Sequence, residues 1–364
     1  MFSKKMIALM VLMIVLVAGV ATAGDAGFKV YGKLHISLDY LNNSEDGQLA
    51  LASNTSRFGF KGSSEMNENF TFIWQFENAI NISDKNNEFN LANRNSFLGL
   101  KGNWGTFLAG IHDTPFKTLG RKVTFFKDEI GDFRTMTYGW DRRLDNVLLY
   151  ALPKLGGFGA QLAYQLDQND RTDYTEEVPY KSATAFSGLA HYSINEFFIG
   201  VAYEMLSEGN VMVFPAPTKD GHIGYGEAQS GIRGAAKYDG EKFAISALFQ
   251  SLSNVMGYDG VSSTTFGGEA KFKATPKWAV KAGYYVFDPN TDGESKNDDA
   301  GQLAIGVDHT FAKDMWFYAQ YAMITNGDDA SWALGDGNGH GRTVEPSEAG
   351  KSPTGFSVGM AKKF

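Results

Sequence analysis

From Phe28 to Tyr40 the chain alternates. Phe28, Val30, Gly32, Leu34, Ile36, Leu38 and Tyr40 occupy one parity, and Lys29, Tyr31, Lys33, His35, Ser37 and Asp39 the other. Successive side chains of an extended backbone point to opposite faces, so this is a strand with one apolar and one polar face. The same period recurs where Phe70, Phe72, Trp74 and Phe76 oppose Thr71, Gln75 and Glu77, where Phe243, Ile245, Ala247 and Phe249 oppose Ser246 and Gln250, and where Trp278, Val280, Ala282 and Tyr284 oppose Lys281 and Gly283. Helical periodicity is hard to find after Ala23. The pattern predicts sixteen strands, near residues 28–40, 56–65, 69–78, 93–102, 105–112, 143–151, 158–167, 182–193, 196–206, 230–238, 242–251, 263–274, 277–287, 300–312, 314–325 and 354–364.

Connections between these strands alternate in length. Tight turns fall at Gly102-Asn103-Trp104-Gly105, Ser193 to Glu196, Asp239-Gly240-Glu241, Thr275-Pro276-Lys277 and Ala312-Lys313-Asp314; long polar stretches occupy 41–55, 79–92, 113–142, 168–181, 207–229, 252–262, 288–299 and 326–353. Short turns at one rim and long loops at the other are expected of an antiparallel barrel in an outer membrane. The predicted fold is all-β: a sixteen-stranded antiparallel transmembrane β-barrel with short periplasmic turns and long extracellular loops. A soluble sandwich is the alternative, but it would bury the apolar face and leave the charged one outside, whereas a barrel in lipid inverts the arrangement. Ser56 to Gly62 is echoed by Ser96 to Gly102, which reads as two equivalent wall strands with Phe58, Phe60, Leu98 and Leu100 facing lipid and Lys61 and Lys101 facing inward.

Composition narrows the class. The 364 residues include no cysteine, which removes disulfides, thiolate catalysis and Cys-ligated metal sites together. Against 41 acidic side chains stand 33 basic ones, a formal charge of −8, opposite in sign to what phosphate neutralisation by a nucleic-acid binder requires. Lys4 and Lys5 precede the apolar run Met6 to Val20, and Ala21-Thr22-Ala23 then has the small-x-small pattern of a cleavage site. Residues 1–23 read as a secretory signal peptide and residues 24–364 as the barrel. No later segment is long and apolar enough for a membrane helix, and the mean hydropathy is −0.24. At the other end Phe356, Val358, Met360, Lys362 and Phe364 share one parity, and the chain stops on an aromatic residue. A terminal Phe364 on an amphipathic strand resembles the signal read by the barrel-assembly machinery of Gram-negative bacteria. Lys362 lies on the outward face, where the cost of a charge falls to about 0–1 kcal/mol near the interface.

Taken in order, Val30-Tyr31-Gly32-Lys33-Leu34-His35, Arg57 to Gly62, Arg94 to Gly102 with Gly105-Thr106, Asp113-Thr114-Pro115-Phe116, Arg143 with Asn146 and Tyr150, Gly157-Phe158 and the final Phe364 make the chain resemble the sixteen-stranded general porins of Gram-negative bacteria. The resemblance implies a homotrimer in the cell outer membrane, each barrel carrying its third long loop folded into the lumen as a constriction. Here that loop is His112 to Arg142, with Asp128-Glu129-Ile130-Gly131-Asp132 where many relatives have a Pro-Glu-Phe-Gly type motif.

Charges at a narrow point set ion selectivity. The acidic candidates on the inward loop are Asp113, Asp128, Glu129 and Asp132; the basic candidates on the facing wall are Lys33, Arg57, Lys61, Arg94, Lys101 and Arg143. An acidic loop opposite a basic wall creates a transverse field that disfavours apolar solutes. Inward wall positions are richer in Lys and Arg than in acids, which points to anion preference despite the negative net charge. Asp288-x-Asn290-x-Asp292-Gly293 followed by Asp299 fits a calcium-loop template with Asp in the last ligand position, so an outer-loop Ca2+ site is a second candidate; no cofactor is otherwise required. Acidic outer loops can also bridge to lipopolysaccharide through divalent ions. The six histidines are scattered without a metalloprotease, nucleophile-elbow or P-loop motif, so catalysis is not expected. The function that follows is a channel for passive diffusion of small hydrophilic solutes and ions; a solute-selective channel and a surface adhesin or scaffold are the alternatives.

Overall fold

The computed structural model describes residues 27–84, 92–137, 139–168, 182–210, 226–290, 297–337 and 339–364; the signal segment 1–23 lies outside them. The alternating stretches form β1 (Lys29–Asn42), β2 (Gly47–Ser53), β3 (Arg57–Asn67), β4 (Phe70–Ala79), β5 (Ser96–Gly102), β6 (Gly105–Asp113), β7 (Arg143–Ala151), β8 (Phe158–Gln165), β9 (Ala185–Ile194), β10 (Phe197–Leu206), β11 (Gln229–Asp239), β12 (Phe243–Ser253), β13 (Ser262–Lys273), β14 (Trp278–Asn290), β15 (Ala300–Ala312), β16 (Met315–Asn326) and β17 (Thr354–Lys363). Neighbours pair antiparallel, and β17 returns to β1 from Lys33 opposite Lys363 to Asn42 opposite Thr354, which closes the barrel.

The wall nevertheless has sixteen staves, because β2 and β3 are one stave interrupted by a bulge. β1 pairs with β3 through Lys29 to Lys33 and with β2 through Ile36 to Asn42, so residues 54–56 oppose Leu34 and His35 alone. Thr55 takes φ 51°, and the Ser56 hydroxyl replaces the missing ladder bonds by accepting from His35 N–H and donating to His35 C=O, both at 3.0 Å. The stretch 41–55, expected to be loop, therefore contributes half a strand. One extra residue also inverts the inward parity across the bulge, so that Arg57 faces in below it and Ala52 above it.

The outward parity is apolar and bare: Val30, Leu38, Leu98, Ile199, Phe243 and Val358 are each about half exposed. In a bilayer that band is solvated by acyl chains, and the polar side chains of the other parity are enclosed. Lys362 bends to the periplasmic rim and donates to the Lys313 carbonyl at 3.0 Å, out of the apolar band. Phe364 exchanges backbone hydrogen bonds with Gly32 at 3.0 and 3.1 Å, and its ring covers the space a Cβ at Gly32 would need.

Two loops occupy the lumen. The third long loop begins as α1 (Pro115–Val123), started by Thr114, whose hydroxyl accepts from Lys117 N–H, and by Pro115 in the first turn. Phe116, Leu119, Gly120 and Val123 follow the i, i+3, i+4, i+7 spacing and are buried against the inner face of β8 to β12. This is the helical periodicity the reading for strands overlooked. Gly200 on β10 admits the helix: a Cβ there would lie 2.8 Å from Leu119 Cδ1. Beyond α1, Phe126, Ile130, Phe133, Met136 and Trp140 are buried, and Phe133 stacks on Tyr285 at 4.8 Å. Each such side chain contributes about 1.5–3 kcal/mol of apolar burial, so the loop is packed into the barrel as a core.

The last loop, 327–353, also enters the barrel, where an outer polar stretch was expected. Leu334 and Val344 are buried and pair across a backbone bridge, His340 Nε2 lies 3.2 Å from Asp39 Oδ2, and Gly341 N–H donates to Asn54 Oδ1 at 2.8 Å. It sits over the third loop from the extracellular side, with Gly339 next to Asp128 and Arg134.

Candidate functional site

α1 packs on β8 to β12, and its basic face meets charged side chains of β3, β6 and β7 across the lumen. Arg57 on β3, Arg94 before β5 and Arg143 at the start of β7 converge there with Lys117 and Arg121 of α1; Arg57 and Arg143 each have both Arg94 and Arg121 as like-charged neighbours. Two carboxylates sit among them. Glu77 takes Arg94 at 2.6 Å and Arg57 at 3.6 Å; Asp113 takes Arg143 at 2.8 Å and Lys117 at 3.0 Å. Asn95 fixes Arg143 from the side by accepting from its Nε at 2.7 Å. Five cations stand against these two carboxylates and the buried Asp128, which holds Arg121 at 2.9 Å, a local excess of two positive charges; all but Asp128 remain 10–20% open.

Of the expected acidic edge of the loop, Asp113 lies in the gap. Asp128, Glu129 and Asp132 are buried, because each is consumed in fastening the loop. Asp128 receives Lys33 at 3.0 Å, Arg121 at 2.9 Å and Arg134 at 2.9 Å. Burial alone would raise its carboxyl, yet these three cations hold it well below the ordinary range. Asp132 binds Arg134 at 2.5 Å and caps the Asp128 N–H at 2.8 Å. Glu129 meets Lys281 of β14 at 2.6 Å, and Lys281 in turn meets Asp308 at 2.8 Å. Further fastenings are Glu269, which accepts from Thr124 Oγ1 at 3.0 Å and from Phe125 N–H, Arg233 with Asp141 at 2.9 Å, and Arg142 with Glu204 at 2.9 Å.

Among the sequence candidates, Arg57, Arg94, Arg143 and Asp113 come together, while Lys33 serves as an anchor for Asp128. Lys61, over the Tyr31 ring at 4.8 Å, and Lys101, beside the turn after β5, lie toward the periplasmic rim, below the cluster. Glu77 was read from sequence only as a polar-face residue of its strand; Lys117 and Arg121 were not singled out. Their signal was the amphipathic spacing of α1, which puts Lys117 and Arg121, four residues apart, on the face opposite Phe116 and Val123. Asp288 and Asn290 of the calcium template belong to β14, paired with Thr264 and Ser262, and Asp299 follows in the connection to β15; Asp292 lies outside the described residues.

Glu129 supplies a pH dependence. Burial pushes its carboxyl up to about 7, with Lys281 pulling the other way. The folded value lies above the unfolded one, so Glu129 favours the fold most below the unfolded pKa, and that contribution is lost as pH rises toward and through 7. Its protonation between pH 8 and 6 adds one positive charge to the loop. The zero-current potential in a salt gradient is expected to move toward anions over that interval, and Glu129→Gln to remove its share of the movement; an equal movement in the variant would exclude the assignment.

The Gram-negative porin family model matches residues 8–329. The chain is 24% identical over 279 residues to the major outer membrane protein P.IB of Neisseria sicca, covering 71% of this chain and 75% of that one. Its fold is similar to an anion-selective porin from Comamonas acidovorans, with a TM-score of 0.74 at 20% identity over 93% of this chain and 100% of that one. It is also similar to the trimer form of OmpT of Vibrio cholerae, with a TM-score of 0.66 at 16% identity over 93% and 99% of the two chains. A closed sixteen-stave barrel with a charged gap beside an inward loop, matched by that family over most of its length, identifies the chain as a member of the Gram-negative porin family, located in the outer membrane.

Proposed function

We propose that this porin is an anion-preferring diffusion channel whose selectivity is set between α1 and the β1 to β7 wall. The carrying observation is the excess of cations there: Arg57, Arg94, Lys117, Arg121 and Arg143 against Glu77, Asp113 and Asp128. Charges enclosed by low-dielectric walls focus their field into the water between them, so this excess raises the local concentration of anions. The burial of Asp128, Glu129 and Asp132 supports the reading, since each is already paired with cations while the basic residues of α1 stay partly open. The Comamonas acidovorans porin of similar fold is itself anion-selective. The channel works as a homotrimer, by likeness to the trimeric relative, and carries small hydrophilic solutes passively; acidic outer loops contact lipopolysaccharide through divalent ions.

Planar-bilayer recording of the mature protein in a potassium chloride gradient tests this. Stepwise conductance with closures in threes and a zero-current potential of the anion sign are expected. A potential of the cation sign overturns the selectivity, and insertion of folded protein without conductance overturns the open channel.

A further inference from the structure

On the periplasmic side of α1 the lumen widens into a vestibule of about 960 Å³, bounded by the third loop and by the short turns joining β11 to β12, β13 to β14 and β15 to β16. That volume is within the roughly 300–1,000 Å³ of small-molecule sites. Nine Lys or Arg side chains and five carboxylates line it. Three of the carboxylates are already neutralised: Asp128 by Lys33 and Arg121, Glu129 by Lys281, and Asp308 by Lys271 and Lys281. Lys127, Lys242 and Lys277 remain exposed and, among the described residues, without a carboxylate partner.

These three lysines come from three separate elements: the third loop, the β11–β12 turn and the β13–β14 turn. They face one water-filled space from different sides, with Trp316 in the same wall between Lys33 at 5.9 Å and Lys363 at 5.4 Å from its ring. Lys127 reaches lumen water but is enclosed by the barrel; that enclosure and Arg121 push its ammonium down to about 7. Nine cations, Arg57 and Arg121 of the constriction among them, against five carboxylates leave this space an excess of four positive charges, and one solute carrying several negative groups offsets several of them at once. A monovalent anion offsets only one.

We propose that this inner vestibule is a binding site for small solutes bearing two or more anionic groups, held between Lys127, Lys242 and Lys277. The inference rests on the anion-preferring reading of the channel. It adds a saturable site below the constriction, on the path by which solutes leave toward the periplasm.

Inorganic tripolyphosphate is the probe, added to either side of channels inserted in one orientation, in potassium chloride at pH 6, where Lys127 is charged. Block of the current is expected at lower concentration from the periplasmic side, and raising the salt should weaken it. The Lys242→Gln/Lys277→Gln variant is expected to raise the half-blocking concentration about tenfold or more while keeping the wild-type conductance and the sign of the zero-current potential. Lys127→Gln should raise it as well, from the loop side. An anion-selective wild type that tripolyphosphate does not block, or a double variant blocked at the wild-type concentration, overturns the site. A wild type with a cation-sign potential instead overturns the underlying reading of the constriction, so the two failures are separate results.

Discussion

Replacing Arg57, Arg94 and Arg143 together by glutamine is expected to abolish the anion preference and to bring the zero-current potential close to zero. The three guanidiniums supply three of the five cations at the gap, and Lys117 and Arg121 would then no longer outnumber Glu77, Asp113 and Asp128. The change exceeds a simple loss of positive charge, because Glu77 loses both its cations and keeps only the Tyr31 hydroxyl at 3.1 Å, while Asp113 keeps Lys117 alone, so both carboxylates act more strongly in the gap. At an effective dielectric constant near 20, two unit charges 4 Å apart interact by about 4 kcal/mol, several times thermal energy, so an ion threading the cluster senses each of these changes. Lys61→Gln/Lys101→Gln is the control. Those lysines project toward the rim, where water and salt screen them, and the potential should move little. If the control moves the potential as far as the triple variant does, the selectivity is spread along the pore and the constriction assignment fails.

Asp128→Ala is expected to release the third loop from the wall while leaving the barrel closed. Its carboxylate is 1% exposed and receives Lys33, Arg121 and Arg134 within 3.0 Å, so removing it takes the carboxylate partner from Lys33 and Arg121 and leaves Arg134 with Asp132 alone. Breaking a buried ionic contact by deleting one partner typically costs about 3–5 kcal/mol. The strand ladders include no third-loop residue between Thr114 and Arg142, so the cost falls on the loop's attachment. Raised open-channel noise, a lower melting temperature in detergent and faster proteolysis within 114–142 are the readouts. Asp128→Asn keeps the shape and loses the charge, and should show the same changes. A quiet, protected Asp128→Asn channel would mean that the apolar contacts of Phe126, Ile130 and Phe133 hold the loop unaided.

The strands were legible because lipid and lumen impose opposite demands on alternate residues. β7 and β15 fall at 143–151 and 300–312, as the alternation predicts, and most of the others within about three residues. β2 was hidden for a definable reason. Gln48, Leu49, Ala50, Leu51 and Ala52 do alternate, but the bulge at 54–56 inverts the parity before Arg57, so the pattern does not continue into β3. α1 was hidden differently, because nine residues with four apolar positions at helical spacing are easily lost within a long polar connection.

The candidate site was legible in its residue types and partly in its members. Arg57, Arg94, Arg143 and Asp113 were found because their strands or strand ends fix which way they point. Asp128, Glu129 and Asp132 were expected on the loop's lumen edge and are buried against cations, since nothing local says whether a loop carboxylate meets water or a cation on a distant strand. The partners that decide it, Lys33 and Lys281, lie 95 and 152 residues away along the chain.

Sequence alone determined that this chain builds a lipid-facing barrel with a polar interior, because period-two alternation is a local property that each strand carries for itself. The path of the two loops inside the lumen, the burial of the loop acids and the surplus of positive charge at the gap were decided only in three dimensions. Charge pairing across a barrel depends on which staves face each other through the lumen, and that relation exists only once the sheet has closed.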